Sequence, residues 1–234
     1  MSWSMLTVTA PARRPDVVLF DVFETCLQLD ALRPRFVDIG RPESDLDVFF
    51  ARLLHHGMAL TLAGGAPPFR AVAADMLRRS SGPDLSDAQV AHVLDGFATL
   101  PVHPDVPAAF RLLADAGVPA HAFTHGSARV AGDALAAAGV RDLLAGVHSC
   151  EELGSFKPPA RVYEWACARV GSPAGATALV AVHSWDVHGA MSAGLVGGLC
   201  LRLEGRVPDT VLPPHVVAGR LDEVVAGLLA LPQP

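Results

Sequence analysis

Apolar and polar positions follow two different rhythms along this chain. The first is set by Asp16-Val17-Val18-Leu19-Phe20-Asp21, a run of strand-forming residues that ends abruptly on a carboxylate. A run that is apolar at every position suits a strand buried on both faces, and in open parallel sheets ligands sit beyond the carboxyl ends of the strands. Asp21 is thereby placed to do chemistry. From about Leu29 to Leu100 the spacing becomes helical. Leu46, Phe49, Phe50, Leu53 and Leu54 share one face, Phe69 to Leu77 form a second helix, and Ser86-Asp87-Ala88-Gln89 has the form of a capping box ahead of another. Gly64-Gly65-Ala66-Pro67-Pro68 and Ser80-Ser81-Gly82-Pro83 break these helices apart. No strand pattern interrupts the stretch, so it reads as an inserted helical cap.

From Asp105 onward helix and strand alternate. The pattern predicts a helix to Ala116, a strand ending near Thr124, an alanine-rich helix from Ala128 to Ala138 and a short strand near Val147. A helix after Lys157, a strand from Ala178 to His183, a helix from Asp186, a strand from Gly198 to Leu203 and a last helix from Leu221 to Leu231 follow. Such alternation indicates a parallel sheet with helices on both faces. Gly117, Gly139 and Gly194 stand where helices should stop. The fold expected is α/β, a Rossmann-like doubly wound parallel sheet core over residues 1–28 and 101–234, with a helical cap subdomain at 29–100.

Composition narrows the partners. At 234 residues, with 51% hydrophobic and 18% charged positions, the chain can bury a substantial core and does not read as disordered. A net charge of −6 without any run of Lys or Arg argues against nucleic acid. Charges, Pro or Gly interrupt every apolar stretch before a membrane-spanning ~18 residues is reached. Met1 to Pro15 lacks a basic segment followed by an apolar block, so no secretion signal is read there and the cytoplasm is the expected compartment. Cys26, Cys150, Cys167 and Cys200 lie far apart with no C-x-x-C pair. They read as reduced packing units, Cys26 included, and supply no metal site.

If the sheet is parallel, its carboxyl edge collects Asp21, Thr124-His125-Gly126-Ser127 and His183-Ser184-Trp185-Asp186, with Lys157 beginning a helix in a neighbouring loop. These supply a nucleophile candidate, hydroxyl and amide donors, a cation and a second acid. In this order they resemble the haloacid dehalogenase superfamily and, within it, the type II 2-haloacid dehalogenases. Phe20-Asp21-x-x-x-Thr25-Cys26-Leu27 resembles the first motif, Thr124-His125-Gly126-Ser127 the second, Phe156-Lys157-Pro158 with Tyr163 the lysine motif, and His183-Ser184-Trp185-Asp186-Val187-His188-Gly189-Ala190 the fourth. The superfamily's magnesium-dependent phosphatases carry an acid two residues after the nucleophile and a further aspartate in the fourth motif. Here those positions are Phe23 and Val182, which disfavours metal-assisted phosphoryl transfer.

The resemblance implies a metal- and cofactor-independent hydrolase acting on a short 2-halo acid. Asp21 would displace halide from carbon 2, and water would open the resulting ester to a 2-hydroxy acid. Lys157 would keep Asp21 ionised, and Asp186 would tether Lys157 or position water. Thr25 and Thr124, with adjacent amides, would orient the carboxylates, while Phe23, His125, Gly126 and Tyr163 would line the site. Arg52 is the candidate for receiving halide, with Arg33 and Arg35 as substitutes. Relatives are often homodimers through the cap.

Several residues depart from the family's pattern. Glu24 replaces glycine, His125 replaces asparagine, Ala181 replaces serine and His183 replaces asparagine, the last as in a dehalogenase-like branch. A neutral His183 could take a proton from water; the plainer reading is a strand-end histidine bonded to a backbone carbonyl. Glu24 is either a solvent-facing or lysine-paired carboxylate, or a second acid beside Asp21 that alters the substrate. Trp185 reads as packing, and His55, His56 and His92 as helix residues without metal-ligand spacing. The competing functions are a phosphatase on a small phosphorylated metabolite and a non-catalytic protein that binds a small acid or a partner in the cap cleft.

Overall fold

The computed structural model describes residues 12–82 and 84–233. Most of the segment read for a secretion signal, residues 1–11, and Pro83 of the second helix break lie outside the described residues. Strand β1 (Val17–Phe20) leads into helices α1 (Arg33–Asp38), α2 (Asp45–Leu62), α3 (Phe69–Ser81) and α4 (Asp87–Asp95), with 3₁₀ turns at Leu29–Leu32 and Gly96–Thr99. Alternation then begins: α5 (Val106–Asp115), β2 (Ala120–Thr124), α6 (Ala128–Ala137), β3 (Gly146–Ser149), α7 (Ala160–Val170), β4 (Thr177–Ala181), α8 (Ser184–Ser192), β5 (Val196–Cys200), β6 (Val216–Ala218) and α9 (Leu221–Leu229).

The strands form one parallel sheet in the order β3-β2-β1-β4-β5-β6. Strand order reverses between β1 and β4, where Phe20 pairs with Ala122 on one side and Val180 on the other. That reversal opens the crevice in which doubly wound sheets bind ligands. Side chains leave β1 alternately. Val18 and Phe20 join Phe110, Ala134 and Val224 on the layer of α5, α6 and α9, with the Phe20 and Phe110 rings 4.9 Å apart. Leu19 faces the opposite layer with Val162, Tyr163 and Ala166 of α7. Burial on both faces explains the unbroken apolar run.

The expected helical stretch between β1 and α5 is observed, and it adds no strand to the sheet. Leu46, Phe49, Phe50 and Leu53 of α2 are buried, and Leu54 is half-buried. The Ser86 capping box forms, with the Gln89 amide donating to Ser86 Oγ and the Ser86 amide to Gln89 Oε1. Gly117, Gly139 and Gly194 follow helices with positive φ, where a side chain would strain the backbone. Among the described residues no helix is long and apolar enough to cross a membrane.

Three expectations need correction. Lys157 does not begin a helix; it lies in the loop ahead of α7. The strand expected near Gly198–Leu203 is Val196–Cys200, because Gly197 and Gly198 sit under the side chains of Met191 and Val224 rather than outside the sheet. Strand β6 was not anticipated, since three half-buried or exposed residues carry no readable period.

The helical stretch is tied to the loop ahead of Lys157. The Phe156 amide donates to Thr61 Oγ1 (2.8 Å), the Ala66 amide to Gly154 O (2.8 Å) and the Phe69 amide to Glu151 Oε1 (2.8 Å). From the other side α8 closes on the same loop at Gly189, where a Cβ would lie 2.6 Å from Pro158 Cβ and 2.9 Å from the Pro158 carbonyl. Gly189→Ala is therefore expected to lower the urea midpoint, because overpacking of ~1–3 kcal/mol outweighs the helix-propensity gain of ~1 kcal/mol. The same change at Gly132, in open space on α6, is expected to raise the midpoint.

Candidate active site

Asp21 follows β1 and is anchored by its amide, which donates to Val180 O at 3.0 Å. The chain then turns tightly: the amides of Cys26 and Leu27 both donate to Val22 O. This turn carries Thr25 back over Asp21. The Thr25 hydroxyl accepts from the Val182 amide at 3.1 Å, so its proton is free to go to Asp21 Oδ2 at 2.7 Å. Outside the turn, Arg202 Nη1 holds the Thr25 carbonyl at 3.0 Å and its other nitrogen pairs with buried Asp105. Cys26 is buried, its thiol pushed well above the ordinary range by burial and then by Asp21, and it packs rather than reacts.

Lys157 reaches the cluster from the loop before α7 with no exposed surface. Its ammonium donates to Asp21 Oδ1 at 3.0 Å and to Asp186 Oδ2 at 2.8 Å, and lies 4.7 Å above the Phe123 ring centre. Burial disfavours the ammonium, but Asp186 and then Asp21 outweigh it and raise the lysine's pKa. Burial likewise opposes ionisation of Asp21, yet Lys157 and His183 hold its carboxyl far below the usual range. Asp186 is pushed upward by burial, and its second oxygen receives the Tyr163 hydroxyl at 2.6 Å.

His183 follows β4 at the other lip of the crevice. Its Nδ1 lies 3.2 Å from Asp21 Oδ2 and its Nε2 lies 2.8 Å from Glu24 Oε2. Burial favours the neutral ring, but hydrogen bonds to Asp21 and Glu24 raise its pKa to about 10. A carboxylate on each ring nitrogen favours a donating ring over the neutral proton acceptor expected from the sequence. The ring's folded pKa exceeds the ordinary 6.5, so its contribution to stability is complete below 6.5 and is lost as pH rises toward about 10. Glu24 itself sits in the left-handed region at φ 64°, a conformation that costs a side-chain-bearing residue roughly 1–2 kcal/mol.

His125 is the opposite case. Burial and then Lys157 pull its pKa down to about 3, and its Nε2 accepts the Lys157 amide at 2.9 Å. The remaining ring nitrogen therefore carries the proton, and the ring is sandwiched between Phe156 and Trp185. Thr124 does not touch Asp21; its hydroxyl oxygen accepts the Gly126 amide at 3.0 Å and shapes the loop. Phe23 covers this side, stacked on Phe69 at 5.3 Å and edge-on to Phe97 at 5.0 Å, with Phe50 beyond. A groove of about 400 Å³ lined by Phe23, Phe69, Ala73, Phe97 and Gly126 opens next to them.

None of the three arginines expected nearby bonds Asp21, although Arg33 lines a depression of about 300 Å³ with Glu24. Leu46, Phe49, Phe50, Leu53 and Gly57 form the inward face of α2, and Arg52 falls off it, exposed and bonded to Ser80 Oγ. It lines a separate surface depression with His55, His56 and Arg79. Arg33 is held by Asp30 and Asp47, and Arg35 by the His92 carbonyl. Sequence spacing missed the Glu24–His183 contact and the Phe69, Phe97 and Phe156 cover, which come from separate parts of the chain. It also missed Glu204, whose carboxylate accepts the Ser184 amide at the start of α8.

A divalent ion does not fit these donors. Phe23 and Val182 are buried apolar side chains, both Asp21 oxygens already accept from cations or a hydroxyl, and no group of three metal-binding side chains is arranged for an ion among the described residues. Replacing Lys157 by Met is expected to cost ~3–5 kcal/mol of stability near neutral pH, because the buried Asp21 and Asp186 would lose the cation they share, leaving Asp186 with the Tyr163 hydroxyl and Asp21 with Thr25 and His183. The sign follows from linkage. Wild-type Asp21 has a depressed pKa and loses stability on acidification, whereas the variant's carboxylates gain by taking up protons. The deficit in urea denaturation should therefore shrink as pH falls.

Comparison with known proteins gives the family and the fold. The family model for haloacid dehalogenase-like hydrolase matches residues 15–194. (S)-2-haloacid dehalogenase 1 of Pseudomonas sp. (strain CBS-3) is 27% identical over 185 residues, covering 75% of this chain and 80% of that protein. Among solved structures, the L-2-haloacid dehalogenase RSc1362 superposes with a TM-score of 0.85 at 22% identity, over 94% of this chain and 100% of the other. L-2-haloacid dehalogenase from Xanthobacter autotrophicus, with chloropropionic acid covalently bound, gives 0.82 at 18% identity over 91% and 97%. The family match spans β1 through the end of α8 and so includes every residue of the Asp21 cluster: the chain belongs to the haloacid dehalogenase-like hydrolases.

Proposed function

We propose that this hydrolase cleaves the carbon–halogen bond of short 2-halo acids through a covalent ester on Asp21, without a divalent ion. The observation that carries the reading is the distribution of donors on the Asp21 carboxylate. Thr25 and His183 take Oδ2, and Lys157 takes one side of Oδ1. Oδ1 therefore keeps a lone pair for attack, while Oδ2 is already surrounded by donors.

In the first step Oδ1 bonds to carbon 2 and the carbon–halogen bond breaks, its electron pair leaving with the halide. Water then adds to Cγ of Asp21. Negative charge builds on Oδ2, where the Thr25 hydroxyl and the His183 imidazolium already donate, so no reorganisation is needed at that moment. Asp186, whose basicity burial raises, takes the water's proton and returns it to the departing alkoxide. Collapse releases the 2-hydroxy acid, and the remaining proton leaves Asp21, whose acidity Lys157 and His183 maintain.

The substrate's own carboxylate is assigned to the proton-bearing nitrogen of His125 and the Ser127 amide at the start of α6. Gly126 and Thr124 shape that loop, Tyr163 fixes Asp186, and Phe23 shields the nucleophile. Residues 29–100 act as a cap over the core of residues 1–28 and 101–234, and their phenylalanines keep water from the nucleophile. Arg52 has no role in this scheme. The same reading carries a cytoplasmic homodimer with it.

Halide release from chloroacetate, fluoroacetate or 2-chloropropionate is expected, unchanged by EDTA and abolished in Asp21→Asn. A single turnover in ¹⁸O-water should place the label in the Asp21 peptide, read by mass spectrometry. No release from any of these acids, or hydrolysis of p-nitrophenyl phosphate stimulated by Mg²⁺, would overturn the proposal.

A further inference from the structure

The His183 ring is held between two carboxylates, one on each nitrogen. A neutral imidazole has one donor and one acceptor, so one of those contacts would set a lone pair against a carboxylate oxygen. Both contacts are attractive only when the ring carries two protons. Asp21 is the nucleophile and its charge is consumed when the ester forms. Glu24 is the carboxylate that persists through the cycle.

The backbone points to the same residue. Glu24 is the one residue other than glycine with positive φ among the described residues, and its amide donates to Leu27 O at 3.0 Å within the turn. Glycine would hold that turn with less strain, yet the position carries a side chain whose carboxylate ends on His183. We propose that Glu24 is a positioning residue that keeps His183 doubly protonated and aimed at Asp21 Oδ2, supplying the second positive charge of the site in place of a cap arginine.

The proposal rests on Asp21 as the nucleophile of the preceding section. Charged or titratable groups near His183 are Lys157 from the loop before α7, His125 from the loop after β2, Asp186 of α8 and Glu204, which accepts the Ser184 amide, with the Trp185 ring tilted at 5.2 Å; Asp30, Arg33, Asp47, His103 and Arg202 line a depression with Glu24 itself. Lys157 and His125 carry no negative charge, and Asp186 is occupied by Lys157 and Tyr163. Glu204 bonds the Ser184 amide and not the ring, so Glu24, at 2.8 Å from Nε2, is the carboxylate that holds the second proton once the ester has formed. With that charge removed, the ring reverts to neutral near physiological pH and Oδ2 loses its cationic donor.

¹⁵N-histidine NMR titration of the intact, substrate-free protein tests this in wild type, Glu24→Gln and Glu24→Gly. Gln keeps the shape without the charge, and Gly relieves the backbone, so misfolding is not the common cause of a shared effect. At about pH 8, where an unperturbed histidine is neutral, both nitrogens of wild-type His183 should be protonated. The midpoint should fall by roughly 1–3 pH units in both variants, and the alkaline limb of the kcat profile for 2-chloropropionate should move by the same amount. A neutral His183 in wild type at that pH, or an identical midpoint in all three proteins, overturns the inference. Normal titration shifts without halide release would instead sink the dehalogenase reading alone.

Discussion

The ammonium of Lys157, buried between the carboxylates of Asp21 and Asp186, is the contact on which the rest of the site is built. At 3 Å and an effective dielectric near 20 each attraction is on the order of 5 kcal/mol, against a desolvation cost of several kcal/mol per ion. The trio therefore adds little net stability. What it provides is definition: one carboxylate is kept ionised in a place where burial alone would protonate it. Phe123 beneath the ammonium, Tyr163 behind Asp186 and the α8 packing at Gly189 hold the lysine in that position.

Around this charged centre the environment is apolar. Phe23, Phe69, Phe97 and Phe156 stack or meet edge-on, and together they form an apolar cover on this side of the Asp21 cluster. The two histidines divide the polar work by the partners they meet. His125 meets a backbone N–H and a cation and stays neutral, whereas His183 meets two carboxylates and stays charged. Identical side chains thus act as opposite devices a few ångströms apart, because neighbours and not residue type fix the proton count.

Much of this was legible from the chain alone. Asp21 and His183 could be placed because each follows a strand, and Thr25, Lys157 and Asp186 because the order of motifs is fixed; the five lie together at the carboxyl edge of the sheet. Arg52 could not, since one residue along a helix turns a side chain by about 100° and the apolar face of α2 excludes it. The Glu24–His183 contact was equally hidden, being separated by 159 residues with nothing in either local pattern to link them. Strand β6, too short to show alternation, depends on the neighbouring β5 for its pairing.

Thr25 apart, the partners of Asp21 are far away in the primary structure, Lys157 by 136 residues and His183 by 162. A polypeptide interrupted before Lys157 therefore lacks both charged partners of the acid at position 21, and one interrupted before β4 lacks His183 and the strand that anchors its backbone. The cluster is assembled only when the central strands pair side by side, since β1 and β4 must both be in place before Asp21 and His183 can meet.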